Sequence, residues 1–198
     1  MLISNELLLK YGAEEENFER NFIIFEEDSK PKYYYQILEG RIKLNHYNDD
    51  GKELILAILE KGLSVCELLL FIDKTYPVNA VSFEKSKVLK LKKENFEKLL
   101  NDHPEVSDDV REFMAERLYY KYIMLENNSS IKPEKRILGM LEYHKSFTKN
   151  NEKYSYEVPL TRQQIGALTA LRTETVIRAV KRLEKKQHLK IIDRKIFI

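Results

Sequence analysis

Short apolar or alternating runs, separated by turn residues, fill the first half of the chain. Five of these runs are predicted to be strands: Ile23–Phe25, Tyr34–Leu38, Arg41–Tyr47, Glu53–Leu59 and Val88–Leu91. Asp50-Gly51 stands between two of the alternating runs, and both residue types tolerate a positive φ, so this pair predicts a hairpin turn. Short strands at this spacing predict a sandwich or barrel.

A helical pattern replaces the strand pattern after Pro104. Apolar side chains recur every three to four residues as far as about Asn127, which predicts one helix roughly 36 Å long. A helix so long and apolar is expected to form a dimer seam, through Val110, Met114, Leu118 and Leu125. The alternative is a monomer whose helix folds across the β domain. The polar run Asn127–Ser130, with Pro133 beyond it, predicts a hinge before the next helix.

Two short helices joined by a tight turn are predicted near the C-terminus. Thr161 and Gln164 have the spacing of a capping box, which begins the first helix. Thr169–Leu171 is too short a break to be a loop, and a second helix is predicted from Arg172 or Thr173. Beyond it, Leu189–Ile192 and Lys195–Ile198 alternate around Asp193-Arg194, as expected of a small hairpin or wing.

The exposed face of the second helix carries side chains suited to a DNA major groove. Arg can donate two hydrogen bonds to guanine, and Glu can accept one from cytosine. The predicted DNA-binding residues are Thr161, Arg162, Gln163, Arg172, Thr173, Glu174, Thr175, Ile177, Arg178, Lys181 and Arg182. The alternative for Glu174 and Arg178 is an ion pair between residues i and i+4 on a solvated helix.

Charge is divided unevenly along the 198 residues, although the net charge is only +2. The segment 129–198 holds 16 basic and 7 acidic residues, a net of +9, whereas residues 1–128 have a net of −7. A basic C-terminal segment behind an acidic N-terminal one favours a sensor joined to a module that binds a polyanion.

Other classes of protein are disfavoured by composition. No apolar run approaches the roughly 20 residues that span a bilayer, and the first residues lack the pattern of a secretory signal. A single cysteine excludes an internal disulfide and a four-thiolate iron–sulfur site, and the four histidines lack the spacing of metal ligands. No catalytic constellation is visible. We therefore expect a cytoplasmic protein that is neither an enzyme nor a metal protein.

The C-terminal segments TRQQIG (Thr161–Gly166) and ETVIRAVKRLE (Glu174–Glu184) resemble the DNA-binding domain of the Crp/Fnr family of bacterial transcription regulators. The resemblance implies that Glu174 and Arg178 read bases. The position before the Glu is often Arg in members that bind cyclic AMP, but here it is Thr173. The operator preferred by those members is therefore not assumed.

The segment Tyr33–Gly62 also resembles the cyclic-nucleotide-binding β-roll of that family. The fold class expected is α+β, with an N-terminal β-roll of the jelly-roll type, a long dimerisation helix and a C-terminal winged helix-turn-helix. The domains expected are 1–103 for the roll, 104–128 for the dimerisation helix and 129–198 for the DNA-binding domain.

The phosphate-binding segment departs from the family pattern. In Val65–Val81, Glu67 matches the family's Glu, but Cys66 replaces its Gly, and Val78-Asn79-Ala80 replaces its Arg-Ser/Thr-Ala. Lys121 and Tyr122 replace the hydroxyl residues that contact adenine. The possible effector pocket therefore comprises Cys66, Glu67, Lys74, Val78, Asn79, Lys121 and Tyr122.

We expect no cofactor and an unknown effector, with cyclic AMP disfavoured because the phosphate has lost its Arg. Lys74 is a candidate replacement cation. Cys66 is either a redox-reactive thiol or, in the blander interpretation, a small buried side chain.

The function expected is that of a homodimeric regulator that binds pseudo-palindromic operators in double-stranded DNA. By resemblance it would also contact RNA polymerase, with no membrane partner. One alternative is a regulator that needs no small ligand. Another is a cyclic-nucleotide-responsive signalling module whose C-terminal helices contact proteins, which the basic C-terminal segment disfavours.

Overall fold

The computed structural model describes residues 2–49, 51, 53–146 and 152–198, with the backbone alone at 120 and 146. By internal contacts the chain divides into two units, one ending at Ala115 and the other beginning at Glu116. This boundary lies inside a long helix, whereas the sequence had suggested boundaries at the ends of that helix.

The described part of the N-terminal unit contains seven strands and three helical segments before the long helix. In chain order they are α1 (Asn5–Lys10), β1 (Glu14–Phe18), β2 (Ile23–Phe25), β3 (Tyr33–Glu39), β4 (Arg41–Tyr47), β5 (Glu53–Glu60), a 3₁₀ helix (Glu67–Phe71), β6 (Asn79–Ser82), β7 (Ser86–Lys92) and α2 (Lys93–Asp102). All five predicted strands are present, with ends shifted by no more than two residues.

The strands form two antiparallel sheets. One sheet has the order β1-β7-β3 and the other the order β2-β6-β4-β5. Gly40 turns the chain from β3 into β4, that is, from one sheet to the other, at φ +77°. A Cβ on Gly40 would lie 2.5 Å from the Lys85 carbonyl oxygen, so only glycine fits this corner.

The predicted hairpin turn joins β4 to β5. Gly51 has φ +70° and its N–H donates to the Asn48 carbonyl at 2.8 Å. Asp50 lies outside the described residues. Tyr47 pairs with Glu53 beside the turn, so the predicted pairing of these two strands is confirmed.

Two apolar clusters stabilise this unit, one on each face of the β1-β7-β3 sheet. The cluster between the two sheets, which we call the roll interior, comprises Phe18, Phe25, Tyr35, Ile37, Ile42, Leu44, Leu59, Val65, Cys66, Leu69, Tyr76, Val78, Ala80 and Val88. On the opposite face, helices α1 and α2 cover a second cluster that includes Tyr34, Leu89 and Phe96. The Tyr34 and Phe96 rings stack there with centroids 4.5 Å apart.

The long helix α3 extends over Pro104–Ser129. The predicted hinge at Asn127–Ser130 is therefore placed too early, since Asn127, Asn128 and Ser129 are still helical and the link to the next helix is 130–132. Part of the reason is packing, because Asn127 lies against Gly139, where a Cβ would come within 2.1 Å of the Asn127 amide nitrogen.

The remaining elements belong to the C-terminal unit. They are α4 (Pro133–Ser146), β8 (Glu157–Val158), α5 (Arg162–Thr169), α6 (Thr173–Lys185), β9 (Lys190–Ile192) and β10 (Lys195–Phe197). Helices α4, α5 and α6 pack on one another, and the three strands form a small antiparallel sheet in the order β8-β10-β9. Ile137, Met140, Ile165 and Val176 are fully buried among them.

Candidate DNA-binding face and roll interior

The predicted capping box begins α5. The Thr161 hydroxyl accepts from the Gln164 N–H at 3.2 Å, and the Gln164 side-chain oxygen accepts from the Thr161 N–H at 2.7 Å. Both bonds satisfy N–H groups that a helix start leaves without partners. The prediction is confirmed, and it also means that the Thr161 hydroxyl already has a structural partner.

The turn between α5 and α6 is held by a close backbone approach. Ala170 ends α5 in the left-handed conformation at φ 54°, and the Leu171 N–H donates to the Gly166 carbonyl at 2.9 Å. A Cβ on Gly166 would lie 2.7 Å from the Leu171 carbonyl oxygen, so glycine permits this tight turn. Helix α6 then begins at Thr173 with Arg172 as its N-cap, as predicted.

Arg136 on α4 donates a hydrogen bond to a backbone carbonyl next to this turn, a role that was not predicted from the sequence. Its Nη1 donates to the Thr169 carbonyl at 3.3 Å, and its Nε donates to the Ser130 carbonyl at 2.7 Å. A cation beside the carbonyl end of α5 is also favourable for the helix dipole.

Helix α6 has one buried and one exposed face. Val176, Ala179, Val180 and Leu183 are buried, and Ile177 is 42% exposed on the opposite side. Glu174, Arg178, Lys181 and Arg182 are exposed, whereas Thr173 and Thr175 are half-buried. The face predicted to read DNA is therefore presented to solvent.

Glu174 and Arg178 are not paired with each other. In the part of the chain that the structure describes, no ion pair or hydrogen bond joins them or ties either one to another side chain. Their spacing therefore leaves both the carboxylate and the guanidinium available to an outside partner, which favours the DNA-reading interpretation over the i,i+4 ion pair.

Arg182 differs from its neighbours on α6. Its Nε donates to the carboxylate of Glu134, the second residue of α4. A hydrogen bond from its own backbone N–H lowers the pKa of Glu134, and Arg182 and then Lys186 lower it further. Glu134 was not among the predicted site residues, since the sequence separation of 48 residues hides the pair.

The N-terminal end of α5 presents a mixed surface. Arg162 is half-buried, and burial lowers the pKa of its guanidinium, while the charge of Glu184 opposes this shift. Gln163 and Arg172 are exposed. Of the residues predicted to bind DNA near this helix end, these two have side chains that are exposed and available to a partner.

The predicted wing is confirmed as a two-residue hairpin. Ile192 pairs with Lys195, and Asp193 and Arg194 both have positive φ, at 48° and 65°. This is the mirror-image turn that matches the twist of two paired strands. Exposed cations follow the wing at Lys190, Arg194 and Lys195, the last paired with Glu157 at 2.7 Å.

The roll interior is occupied by aromatic side chains. Phe25 and Tyr76 stack with centroids 3.7 Å apart and planes 11° apart, and Tyr35 lies 6.0 Å from Phe25. Tyr76 is 3% exposed. Burial, and to a lesser extent its neighbours Tyr35 and Cys66, raise the pKa of Tyr76. The sequence had not singled out Phe25 or Tyr76, because neither occupies a position in the family's phosphate-binding pattern.

The predicted effector residues of the N-terminal unit are mostly buried in the fold. Cys66 and Val78 belong to the roll interior, with Cys66 in the left-handed conformation at φ 54°. Glu67 is 1% exposed and accepts from the Ser64 hydroxyl at 2.7 Å. Its charge helps to raise the pKa of Tyr34, after burial, and Tyr34 belongs to the cluster on the other face of the sheet. Glu67 is thus buried as part of the fold.

The other predicted effector residues lie in different surroundings. The Asn79 amide is used structurally, since its oxygen accepts from the Glu27 N–H at 3.0 Å and its nitrogen donates to the Asn45 carbonyl at 3.4 Å. Lys74 is exposed. Lys121 and Tyr122 lie beyond the boundary at Ala115, within the C-terminal unit, and Tyr122 is 63% exposed.

The predicted dimer stripe on α3 is only partly exposed. Val110 is 1% exposed and packs in the cluster beside Phe96, so the expectation is corrected there, since a partner has no side-chain surface to contact. Met114 is partly buried against the same cluster. Leu118 and Leu125 are 55% and 69% exposed, and Tyr119 and Tyr122 are exposed beside them.

Comparison with known protein families matches both units. Residues 15–103 match the cyclic nucleotide-binding domain, and residues 135–198 match the Crp-like helix-turn-helix domain. The anaerobic regulatory protein of Bacillus subtilis is 30% identical over 120 residues, which are 59% of this chain and half of that protein.

Two further relatives extend the match. The cAMP-activated global transcriptional regulator CRP of Salmonella typhimurium is 25% identical over 81% of this chain and 78% of its own length. The solved structure of a CooA mutant from Carboxydothermus hydrogenoformans has a TM-score of 0.80 at 16% identity, with 98% of this chain and 85% of that chain covered, and so supports the fold alone.

Fold and comparisons together define a class, a cyclic-nucleotide-binding-type roll joined to a winged helix-turn-helix. The chain belongs to the Crp/Fnr family of regulators, whose members bind DNA through the helix-turn-helix. The Crp-like helix-turn-helix match and the CRP relative point to transcription regulators. Within the described ranges, no helix has the length and apolar character needed to cross a membrane, and no cluster of metal-ligating side chains is found.

Proposed function

We propose that this protein regulates transcription by binding a specific DNA sequence through α6. The observation that carries the proposal is the exposed, unpaired Glu174 and Arg178 on a helix whose opposite face is buried. A charged pair that is not satisfied within its own chain is suited to the donor and acceptor pattern of base edges. A bacterial regulator must reach the chromosome to bind it, so we propose that this protein is cytoplasmic.

Substitution of Arg178 tests this proposal. After selection of an operator from random DNA, Arg178→Ala is expected to weaken operator binding by about 1–3 kcal/mol and to relax specificity at one base position. Lys181→Ala is the matched control, since loss of a phosphate contact weakens all sequences alike and flattens the salt dependence. An unchanged operator affinity for Arg178→Ala would contradict the assignment of α6.

We propose further that the protein binds DNA as a homodimer whose seam includes the exposed stripe of Leu118, Tyr122 and Leu125. Together with Tyr119, these side chains expose apolar surface along α3 that a second copy of the helix would cover. A two-fold dimer would present two α6 helices to half-sites about 34 Å apart. Leu118→Asp should then lower both the mass in ultracentrifugation and the operator affinity, whereas a dimer of unchanged mass would exclude this seam.

We also propose that cyclic AMP is not the effector of this protein. Support comes from the roll interior, where Tyr76, Phe25 and Val78 are buried, and from Val78 itself, which cannot bind a phosphate. A buried anion without a cationic partner is costly, by about 2–4 kcal/mol for a lost charge-assisted pair. Titration calorimetry should detect no binding of cyclic AMP or cyclic GMP, and a micromolar dissociation constant would overturn the proposal. Contact with RNA polymerase is proposed from family membership alone.

A further inference from the structure

One cation on the DNA-facing helix is already engaged by an anion of the same chain. Arg182 lies one helical turn beyond Arg178, on the side of α6 nearest α4. Its Nε is bound to Glu134 in a bond that crosses from α6 to the start of α4. Arg182 is about half exposed, and the Glu134 side chain is 23% exposed.

Glu134 is stabilised as an anion by more than Arg182. It follows Pro133, the first residue of α4, and its own backbone N–H is the largest influence that lowers the pKa of its carboxylate. A carboxylate in the first turn also interacts favourably with the helix dipole. The charge of Lys186 acts on the same carboxylate. Glu134 is therefore a stable anion at the edge of the face that would meet DNA phosphates.

We infer that Glu134 competes with the DNA backbone for Arg182 and so lowers the affinity for DNA of any sequence. This inference rests on the proposed DNA-binding function. A carboxylate and a phosphate both accept hydrogen bonds from a guanidinium, so in the parent protein Glu134 occupies Arg182 and keeps it from a phosphate. Glu174 and Arg178 take no part in this competition, and base discrimination is unaffected. The residue pair thus sets the strength of the sequence-independent contact.

The test is a double-mutant cycle measured by fluorescence anisotropy on non-operator duplex DNA over a range of salt concentrations. Glu134→Gln should tighten binding by about two- to fivefold for each protomer, the range typical of one exposed ion pair. It should also steepen the slope of log K against log salt by about 0.9 for each additional phosphate that the protein neutralises. Arg182→Ala alone should change little, because Arg182 is held by Glu134 in the parent.

The double variant Glu134→Gln with Arg182→Ala should show no gain over Arg182→Ala. The matched control is Glu126→Gln, which removes the same charge from an exposed carboxylate that pairs with Lys135 at 3.6 Å, and it should leave the slope unchanged. Circular dichroism checks that each variant is folded.

The outcomes separate the two proposals. A parent protein without salt-dependent DNA binding overturns the proposed function. If the parent binds DNA but Glu134→Gln tightens binding equally with and without Arg182, only the role of Glu134 is overturned. The same holds if Arg182→Ala alone flattens the salt slope by about 0.9.

Discussion

The roll and the winged helix-turn-helix keep the same family fold but treat their functional positions in opposite ways. In the C-terminal unit, Glu174 and Arg178 point away from a complete core and leave it undisturbed. In the roll, Cys66 and Val78 stand at positions expected to bind a ligand, and they are part of the core. A surface that reads a partner needs only exposed side chains, whereas an enclosed ligand site needs space that packing otherwise fills.

The largest expected effect tests whether the roll interior is core. Tyr76→Ala removes a buried ring stacked on Phe25 and should lower the free energy of unfolding of the N-terminal unit by about 3–5 kcal/mol. Denaturant unfolding measures this loss, with Tyr47→Ala as a control, because Tyr47 lies on the same roll but is 52% exposed. A loss below about 1 kcal/mol would mean that Tyr76 lines a cavity and the contrast with the C-terminal unit fails.

A smaller effect is expected from the turn of the C-terminal unit. Gly166→Ala places a Cβ against the Leu171 carbonyl and should destabilise the winged helix by about 1–3 kcal/mol. Ala170→Gly is the opposite control, since it relieves a left-handed alanine and should stabilise the same turn. Thermal unfolding should measure both changes in stability, and hydrogen exchange should locate them in α5 and α6. Equal losses in the roll would contradict the division into two units.

The smallest effect concerns pH. Burial lowers the pKa of His144, on α4, to about 4. Protonation therefore favours the unfolded state, so the stability of the C-terminal unit is complete above about pH 6.5 and falls as the pH decreases toward 4. For this part-buried ring we expect a loss of about 1–2 kcal/mol, which His144→Gln should remove. The loss is obtained as the difference between parent and variant unfolding at pH 7.5 and 5, and an identical pH dependence would contradict it.

Features specified by neighbouring residues could be predicted from the sequence. The capping box of Thr161 and Gln164 and the wing around Asp193-Arg194 each depend on a few adjacent side chains. The alternating strands of the roll were predicted for the same reason. Their pairing order, with β7 between β1 and β3, depends on contacts distant in sequence and was not predicted.

Strand β1, strand β6 and helix α2 are among the elements of the roll that were not predicted, each for a different physical reason. Strand β1 (Glu14–Phe18) is mostly charged and lies at a sheet edge, so it lacks an apolar pattern. Strand β6 (Asn79–Ser82) has only four residues. Helix α2 does have a helical signal in the sequence, since Phe96, Leu99 and Leu100 recur at helical spacing and are buried.

The site residues were predicted unevenly for a related reason. A helix face follows from periodicity, and the exposure of Glu174 and Arg178 could be expected. The position of Tyr76 could not, because it lies between strands and beside a proline, where no periodicity shows which way a side chain points. Likewise, the engagement of Arg182 by Glu134 required knowledge of how α4 meets α6.

The wing turn has a consequence for which mutations would raise the stability of this chain at the expense of its positive charge. Asp193 and Arg194 both occupy the left-handed region, where a non-glycine residue costs roughly 1–2 kcal/mol. Random substitution followed by selection for heat resistance alone should repeatedly place glycine at 194 and discard the cation there. Selection for DNA-dependent regulation should instead retain the arginine. The residue found at 194 would therefore show whether selection acted on stability or on DNA binding.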